Sequence, residues 1–295
     1  MKSNQLGKYL QERFPVVNML LFAILFAAVF SVASHPVRSL SLFGLPELGG
    51  MLAVISFFFR LRVMDEIKDF ASDAELYPER VLQSGRIQLS FLQRLAALGM
   101  LWELVWSLWL GLPALLAWSV AVAYSLLMRY EFFIKDWLRE RLALYAISHL
   151  LIMPAVIAWI WFAYRTDFSS TLYLLMLLSI LAGFCFEIAR KTHAAAAERE
   201  GVASYSKSLG LRTAVYSIWT LLAVSLLLQG ILFEQLGIGW PALVLLLLVF
   251  AGLVWRYAVA LSGERDRPFR QGELLSSVYM LLSYLVLIVA LNLAS

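Results

Sequence analysis

Nine apolar runs, each long enough to cross a lipid bilayer, dominate this chain: roughly residues 15–34, 46–64, 92–110, 112–132, 142–164, 170–188, 214–234, 240–262 and 273–293. A membrane span needs about 20 mostly apolar residues. Lipid cannot satisfy open backbone groups and the alternating pattern of barrel strands is missing, so helices are the expected form. The expected fold is all-α: a polytopic membrane bundle of about nine transmembrane helices around a central cavity, with cytoplasmic cap loops, in one domain over 1–295. Composition agrees, because 62% of the 295 residues are hydrophobic and 15% charged, against roughly 45–50% apolar and about 25% charged in soluble domains. That balance excludes disorder, an ordinary cytosolic enzyme and a nucleic-acid partner, despite the net charge of +4. A single cysteine, Cys185, leaves no disulfide framework.

The basic residues fix an orientation. With the N-terminus in the cytoplasm, all of the 24 Lys and Arg residues except Arg38 and Arg165 fall in the N-terminal tail or in the loops and span ends on the cytoplasmic side. This is the positive-inside pattern. It gives an integral, multi-pass protein with the N-terminus inside and the C-terminus outside, expected in a bacterial inner membrane. Most acidic residues share those loops, so polar chemistry is concentrated on one side. Spans two and six each run into a charged loop that closes in a small-residue turn, Ser84-Gly85-Arg86 and Ser208-Leu209-Gly210. That weak internal echo suggests a site shared between two halves.

Asp65-x3-Asp69-x3-Asp73 stands at the inner end of span two. If the helix continues, steps of four place these carboxylates on one face. Crowded carboxylates repel, and a cation would relieve them; all-oxygen ligands suit Mg²⁺, which takes one or two carboxylates plus phosphate oxygens. Lys68, Arg80 and Arg86 surround the run and could hold a phosphate. The alternative is a solvated loop whose charges pair with one another. At the inner end of span six, Glu187 could complete a metal site while Arg190 and Lys191 contact phosphate; the alternative is an i,i+4 helix-surface pair. Glu103 lies mid-span among Trp102, Trp106 and Trp109, where ionisable residues are rare and face the bundle interior. It could meet a substrate or pair with another span. His149 could act as a base on an acceptor or be a packing histidine. Tyr124 could line a cavity and stabilise a cation through its ring, or belong to the packing.

The stretch from Asp65 through Tyr77-Pro78-Glu79-Arg80 to Gln83-Ser84-Gly85-Arg86-Ile87 resembles the UbiA superfamily of intramembrane prenyltransferases. In that family an Asn/Asp-x3-Asp-x3-Asp motif follows span two and leads to a Ser-Gly-x-Ile segment. The nine spans match as well, and Gly201 to Gly210 resembles the end of the family's second motif. This chain departs from the pattern in having Asp65 where Asn is usual. It also has Arg190 and Lys191 where further acids are expected, which marks an atypical branch with a degenerate second motif. The resemblance implies Mg²⁺-dependent transfer of an isoprenyl chain from a prenyl diphosphate to a hydrophobic or aromatic acceptor. Asp65, Asp69, Asp73 and Glu187 would serve as catalytic metal ligands, and Lys68, Arg80, Arg86, Arg190 and Lys191 would bind the diphosphate. Glu103, His149 and Tyr124 would be acceptor or cavity residues. The implied partners are a prenyl diphosphate, its acceptor and the lipid bilayer, with no nucleic acid and no obligate protein partner. Two other readings stay open: a terpene cyclase of the same fold acting on the diphosphate alone, and a membrane transporter. Broken helices at matching places in two halves would mark transport, but Pro154 and Pro241 do not correspond.

Overall fold

The computed structural model describes residues 2–35, 43–198, 202–263 and 265–293. Among them every regular element is helical. Arg38 and Gly201 lie outside the described residues. The chain divides into two compact units, Met1–Phe132 with Trp159–Thr166, and Phe133–Ala158 with Asp167–Ser295.

In the first unit, α1 (Lys2–Arg13) precedes α2 (Val16–Ser34), α3 (Leu45–Lys68), the short α4 (Phe70–Leu76), α5 (Leu89–Leu110) and α6 (Leu112–Arg129). Local chemistry sets these boundaries. Pro46 sits in the first turn of α3, where its missing N–H is no loss, and the Glu47 carboxylate accepts from the Gly44 N–H at 2.8 Å. Between α5 and α6, Gly111 takes φ 112° and Pro113 follows, so the chain reverses within one residue. Only glycine adopts that backbone without strain.

Unit one is packed around aromatic rings. α3 lies along α5, α2 packs on α3 and α6 on α5. Trp106 is fully buried, donates to the Pro46 carbonyl at 2.8 Å and meets Trp159 edge-on at 5.5 Å between centroids. Trp159 in turn donates to the Ser107 hydroxyl at 2.9 Å. Trp102 and Trp109 are exposed instead. Gly50 makes this packing possible, since a Cβ there would fall within 2.6 Å of the Phe26 ring and also against Trp106. Gly50→Ala should therefore cost about 1–3 kcal/mol through overpacking, visible as a lowered Tm in detergent; an unchanged Tm would contradict the close fit.

The second unit holds α7 (Lys135–Arg139), α8 (Leu142–Leu150), α10 (Ser170–Arg190), α11 (Tyr205–Ser208), α12 (Leu211–Gln235), α13 (Trp240–Leu261) and α14 (Arg267–Leu293). α9 (Ile152–Phe162) contributes residues to each unit. α10 packs on α12 and α14, and α13 on α12 and α14. The fifth apolar run is interrupted at Leu151, between α8 and α9. Pro154 supplies the reason, since it has no N–H to continue the ladder and its ring crowds the carbonyl four residues back.

Each of the nine apolar runs is thus helical, and among the described residues seven helices are long and apolar enough to cross a membrane. α3 and α5, of 24 and 22 residues, have the length of spans but carry charged side chains along them, among them Arg60, Arg62 and Glu103.

Candidate functional site

The Lys68 end of α3 gathers the charged groups of unit one. The helical ladder runs on through the acidic motif: the Asp69 N–H donates to Asp65 at 2.9 Å, Asp73 to Asp69 at 2.9 Å and Tyr77 to Asp73 at 2.8 Å. At Asp69 the backbone opens to φ −100°, ψ 8°, which ends α3 and starts α4. The three acids therefore follow one another by single turns, with a bend at the middle one.

Each carboxylate has its own surroundings. Asp65 is half exposed and lies 3.5 Å from the Lys68 ammonium, which also stands 3.7 Å from the buried Glu131. Asp73 is nearly enclosed, and its Oδ2 accepts from Arg80 at 2.7 Å and from Arg13 at 3.3 Å. The Arg80 guanidinium lies 3.7 Å above the Tyr77 ring, an arrangement that holds its plane fixed. Arg86 donates to the Ser84 hydroxyl at 2.8 Å and to the Glu79 carbonyl, which closes the turn at Gly85, where φ is 73°. Among the described residues no three His, Cys, Asp or Glu side chains stand close enough together to hold a metal ion by themselves.

The amino-terminal helix is part of this site, although its charges read in the sequence only as a topogenic signal. Tyr9 is fully buried and packs with Val63, Val81, Leu82 and Ile87. Its hydroxyl donates to Glu66 at 3.4 Å, and Arg13 Nε donates to the same Glu66 oxygen at 2.7 Å. Arg62 adds bonds of 3.0 and 2.8 Å, and Glu12 accepts from the Val81 N–H at 3.1 Å. Burial and the neighbouring Glu66 charge hold the Tyr9 phenol well above its ordinary pKa. Burial works against the Arg13 cation, yet Glu66 and Asp73 together raise its pKa. Glu66 does not fall on the four-residue spacing of the motif. The available signal was its position seven residues before Asp73, two helical turns away.

Glu131 opens a second unusual feature. Glu131, Phe132 and Phe133 all have positive φ, 47°, 55° and 60°. Left-handed backbone at non-glycine residues costs about 1–3 kcal/mol each and persists where the surroundings enforce it. The Phe132 ring meets Tyr124 at 5.6 Å.

Glu103 forms the core of a separate network. Arg60 donates to its two oxygens at 3.4 and 3.1 Å, Trp118 at 3.1 Å and Ser56 at 3.3 Å, while Arg60 also reaches the Ser125 hydroxyl at 3.0 Å. Both charges are buried. The pair joins α3, α5 and α6, so the cross-span pairing weighed from the sequence is what the structure contains.

In the second unit, Glu187 ends α10 between two cations, Arg190 at 2.5 Å and Lys191 at 2.8 Å. Beyond them, Glu198 accepts from Ser204 at 2.8 Å and from Ser206, and faces Lys207 at 3.6 Å. Burial opposes its charged form, but these hydroxyls and Lys207 outweigh it and lower the Glu198 pKa. Asp266 accepts from the Ala194 N–H at 3.1 Å and from Arg270 at 3.0 Å, anchoring the loop to α14. His149 keeps its Nδ1 on the Tyr145 carbonyl at 2.8 Å and its ring stacked on Tyr145 at 4.2 Å.

No family model and no curated protein matches the sequence. Solved structures do match the fold. A digeranylgeranylglyceryl phosphate synthase is 19% identical, with a TM-score of 0.72 over 98% of this chain and 99% of its own. A UbiA homologue from Aeropyrum pernix K1 is 18% identical, with a TM-score of 0.64 over 88% of this chain and 94% of its own. A UbiA homologue from Archaeoglobus fulgidus, bound to GPP and Mg²⁺, is 14% identical, with a TM-score of 0.59 over 95% of this chain and 99% of its own. Seven membrane-length apolar helices and an end-to-end match to these structures lead to one conclusion: this chain is an integral membrane protein with the fold of the UbiA superfamily.

Proposed function

We propose that the chain is a Mg²⁺-dependent prenyltransferase, moving an isoprenyl group from its diphosphate to a hydrophobic or aromatic acceptor within the membrane. The observation that carries this reading is the mixed charge at the Lys68 end of α3, where Asp65, Asp69 and Asp73 are interleaved with Lys68, Arg80 and Arg13. Acids alone would suit a bare cation, and cations alone a bare anion. Both together suit a divalent metal bound to a diphosphate.

The donor set fits Mg²⁺. The ligands are all oxygen, and Mg²⁺ needs only one or two carboxylates when substrate phosphates and water complete its shell. Asp65, Asp69 and Asp73 would supply those carboxylates, Asp73 being oriented by its two arginines. When bound, the ion supplies neutralisation of the departing diphosphate. The chain's own cations would add to that: Lys68, Arg80 and Arg86 would donate to phosphate oxygens, the guanidinium forks bidentately. At the end of α10, Arg190 and Lys191 against Glu187 leave one net positive charge available to phosphate. Within the second unit Glu187 is the metal-ligand candidate, with Arg190 and Lys191 as the phosphate candidates beside it. The apolar spans exclude water, which would otherwise capture an allylic cation. Tyr124 and His149 are the acceptor-side candidates, whereas Glu103 holds its helices together. The site would face the cytoplasm of a bacterial inner membrane, with the N-terminus inside and the C-terminus outside.

Product analysis of the full-length protein with prenyl diphosphates, a panel of hydrophobic acceptors and Mg²⁺ tests this reading. Expected are diphosphate release and a prenylated acceptor, both lost without Mg²⁺. Cyclic hydrocarbon formed without any acceptor would replace the transferase by a cyclase. Cation-dependent flux in proteoliposomes, with no diphosphate released from any donor, would replace it by a transporter.

A further inference from the structure

We propose that Tyr9, Glu66 and Arg13 form a positioning relay, through which the amino-terminal helix sets the Asp73 carboxylate for metal and diphosphate binding. This rests on the function proposed above and adds residues outside the acidic motif.

Three observations carry it. First, Glu66 is an acid with almost no solvent exposure, yet all its bonds fall on one oxygen: Arg13, Arg62 and Tyr9 converge on Oε1, and Oε2 has no hydrogen-bond partner. A buried carboxylate used in this one-sided way is expensive, and its principal effect here is to fix the cations around it. Second, Arg13 bridges two acids. Its Nε is committed to Glu66 at 2.7 Å, and the neighbouring Nη2 of the same rigid plane reaches Asp73 at 3.3 Å. Holding one nitrogen of a planar guanidinium restricts where the adjacent one can donate. Third, α1 is not free to drift. Tyr9 is sealed into the cluster of Val63, Val81, Leu82 and Ile87, and Glu12 takes the Val81 N–H. The same helix thus touches α3, the acidic motif and the loop that carries Arg80.

Asp73 is therefore gripped from two sides, by Arg80 of the loop and by Arg13 of α1. Loss of the Glu66 charge would release Arg13 and leave Asp73 to Arg80 alone. Groups that orient a metal-site carboxylate in this manner typically change metal affinity without touching the metal.

The test uses the full-length protein in detergent, Mn²⁺ as the metal and inorganic pyrophosphate as the anion, with free Mn²⁺ read by electron paramagnetic resonance. Glu66→Gln, which keeps the shape and removes the charge, should weaken Mn²⁺ uptake about tenfold. Arg13→Ala should weaken it comparably, and the double variant no further than the worse single, because the two act in series. Tyr9→Phe removes one hydroxyl from a packed ring and should give a smaller loss in the same direction; it serves where Glu66→Gln does not fold. Wild-type uptake with no change in Glu66→Gln, Arg13→Ala or Tyr9→Phe would overturn the relay and leave the proposed function standing. Additive losses in the double variant would also overturn it. Absence of pyrophosphate-dependent uptake in the wild type would instead remove the function on which the relay rests.

Discussion

Asp69→Ala is expected to abolish turnover, lowering kcat by about 10³-fold, while the protein still inserts and folds. Asp69 stands at the bend between α3 and α4, midway between Asp65 and Asp73. Its φ of −100° is accessible to alanine, so the substitution brings no backbone strain. Asp65→Ala should behave alike: its half-exposed pairing with Lys68 at 3.5 Å is worth only about 0–1 kcal/mol to the fold. A large loss of rate with little loss of Tm is therefore the signature of ligands rather than of structural acids. Rates of diphosphate release alongside thermal unfolding of both variants would read it, and full activity in either variant would count against the metal–diphosphate assignment.

The opposite signature belongs to Glu103. Glu103→Ala should destabilise the protein by about 3–5 kcal/mol, because it strands the Arg60 guanidinium, 3% exposed, inside the first unit. That cation would keep the Ser125 hydroxyl at 3.0 Å and the face of Phe57 at 4.6 Å. Arg60→Met alone should cost a similar amount by leaving a buried carboxylate with only Trp118 and Ser56. The double variant Arg60→Met, Glu103→Leu should recover much of the loss, since replacing both members of a buried pair by apolar groups is often neutral or stabilising. Recovery would be incomplete, as Trp118 and Ser56 lose their acceptor at about 1–3 kcal/mol for each buried group left unsatisfied. A double-mutant cycle on unfolding in detergent measures the coupling. Additive single effects would show that the two charges do not depend on each other.

These two acids show how far the sequence could be read. Asp69 and Glu103 are both carboxylates in or beside apolar helices, and spacing alone separated them: three acids in steps of four for one, a solitary acid among tryptophans for the other. The spans were legible because the requirement that lipid imposes on backbone groups is met by long apolar runs, and each run is a helix. The break at Leu151 was less visible, since Pro154 acts on the ladder preceding it. The motif loop was legible through Asp65, Asp69, Asp73 and Arg80, which are close in sequence. Arg13 and Glu66 were not, because their contact spans 53 residues and neither matches the motif's period. Arg60 was hidden in the same way, counted as a topogenic charge while it serves as the partner of a residue 43 positions away. The left-handed backbone of Glu131, Phe132 and Phe133 has no signal at all in residue type, as none of the three is glycine or asparagine.

The second unit gave a similar lesson. Arg190 and Lys191 read as phosphate ligands or as partners of Glu187, and their spacing of three and four residues fits both. The structure places them on Glu187.

The proposed transferase requires the acids at the Lys68 end of α3 to hold a divalent ion against a diphosphate. The most direct measurement is anomalous scattering from crystals of the full-length protein grown with Mn²⁺ and a non-hydrolysable thiolodiphosphate analogue of geranyl diphosphate. A manganese peak beside the Asp65 and Asp69 carboxylates, with the diphosphate among Lys68, Arg80 and Arg86, is the predicted result. A diphosphate bound elsewhere, with no metal at those carboxylates, would contradict it.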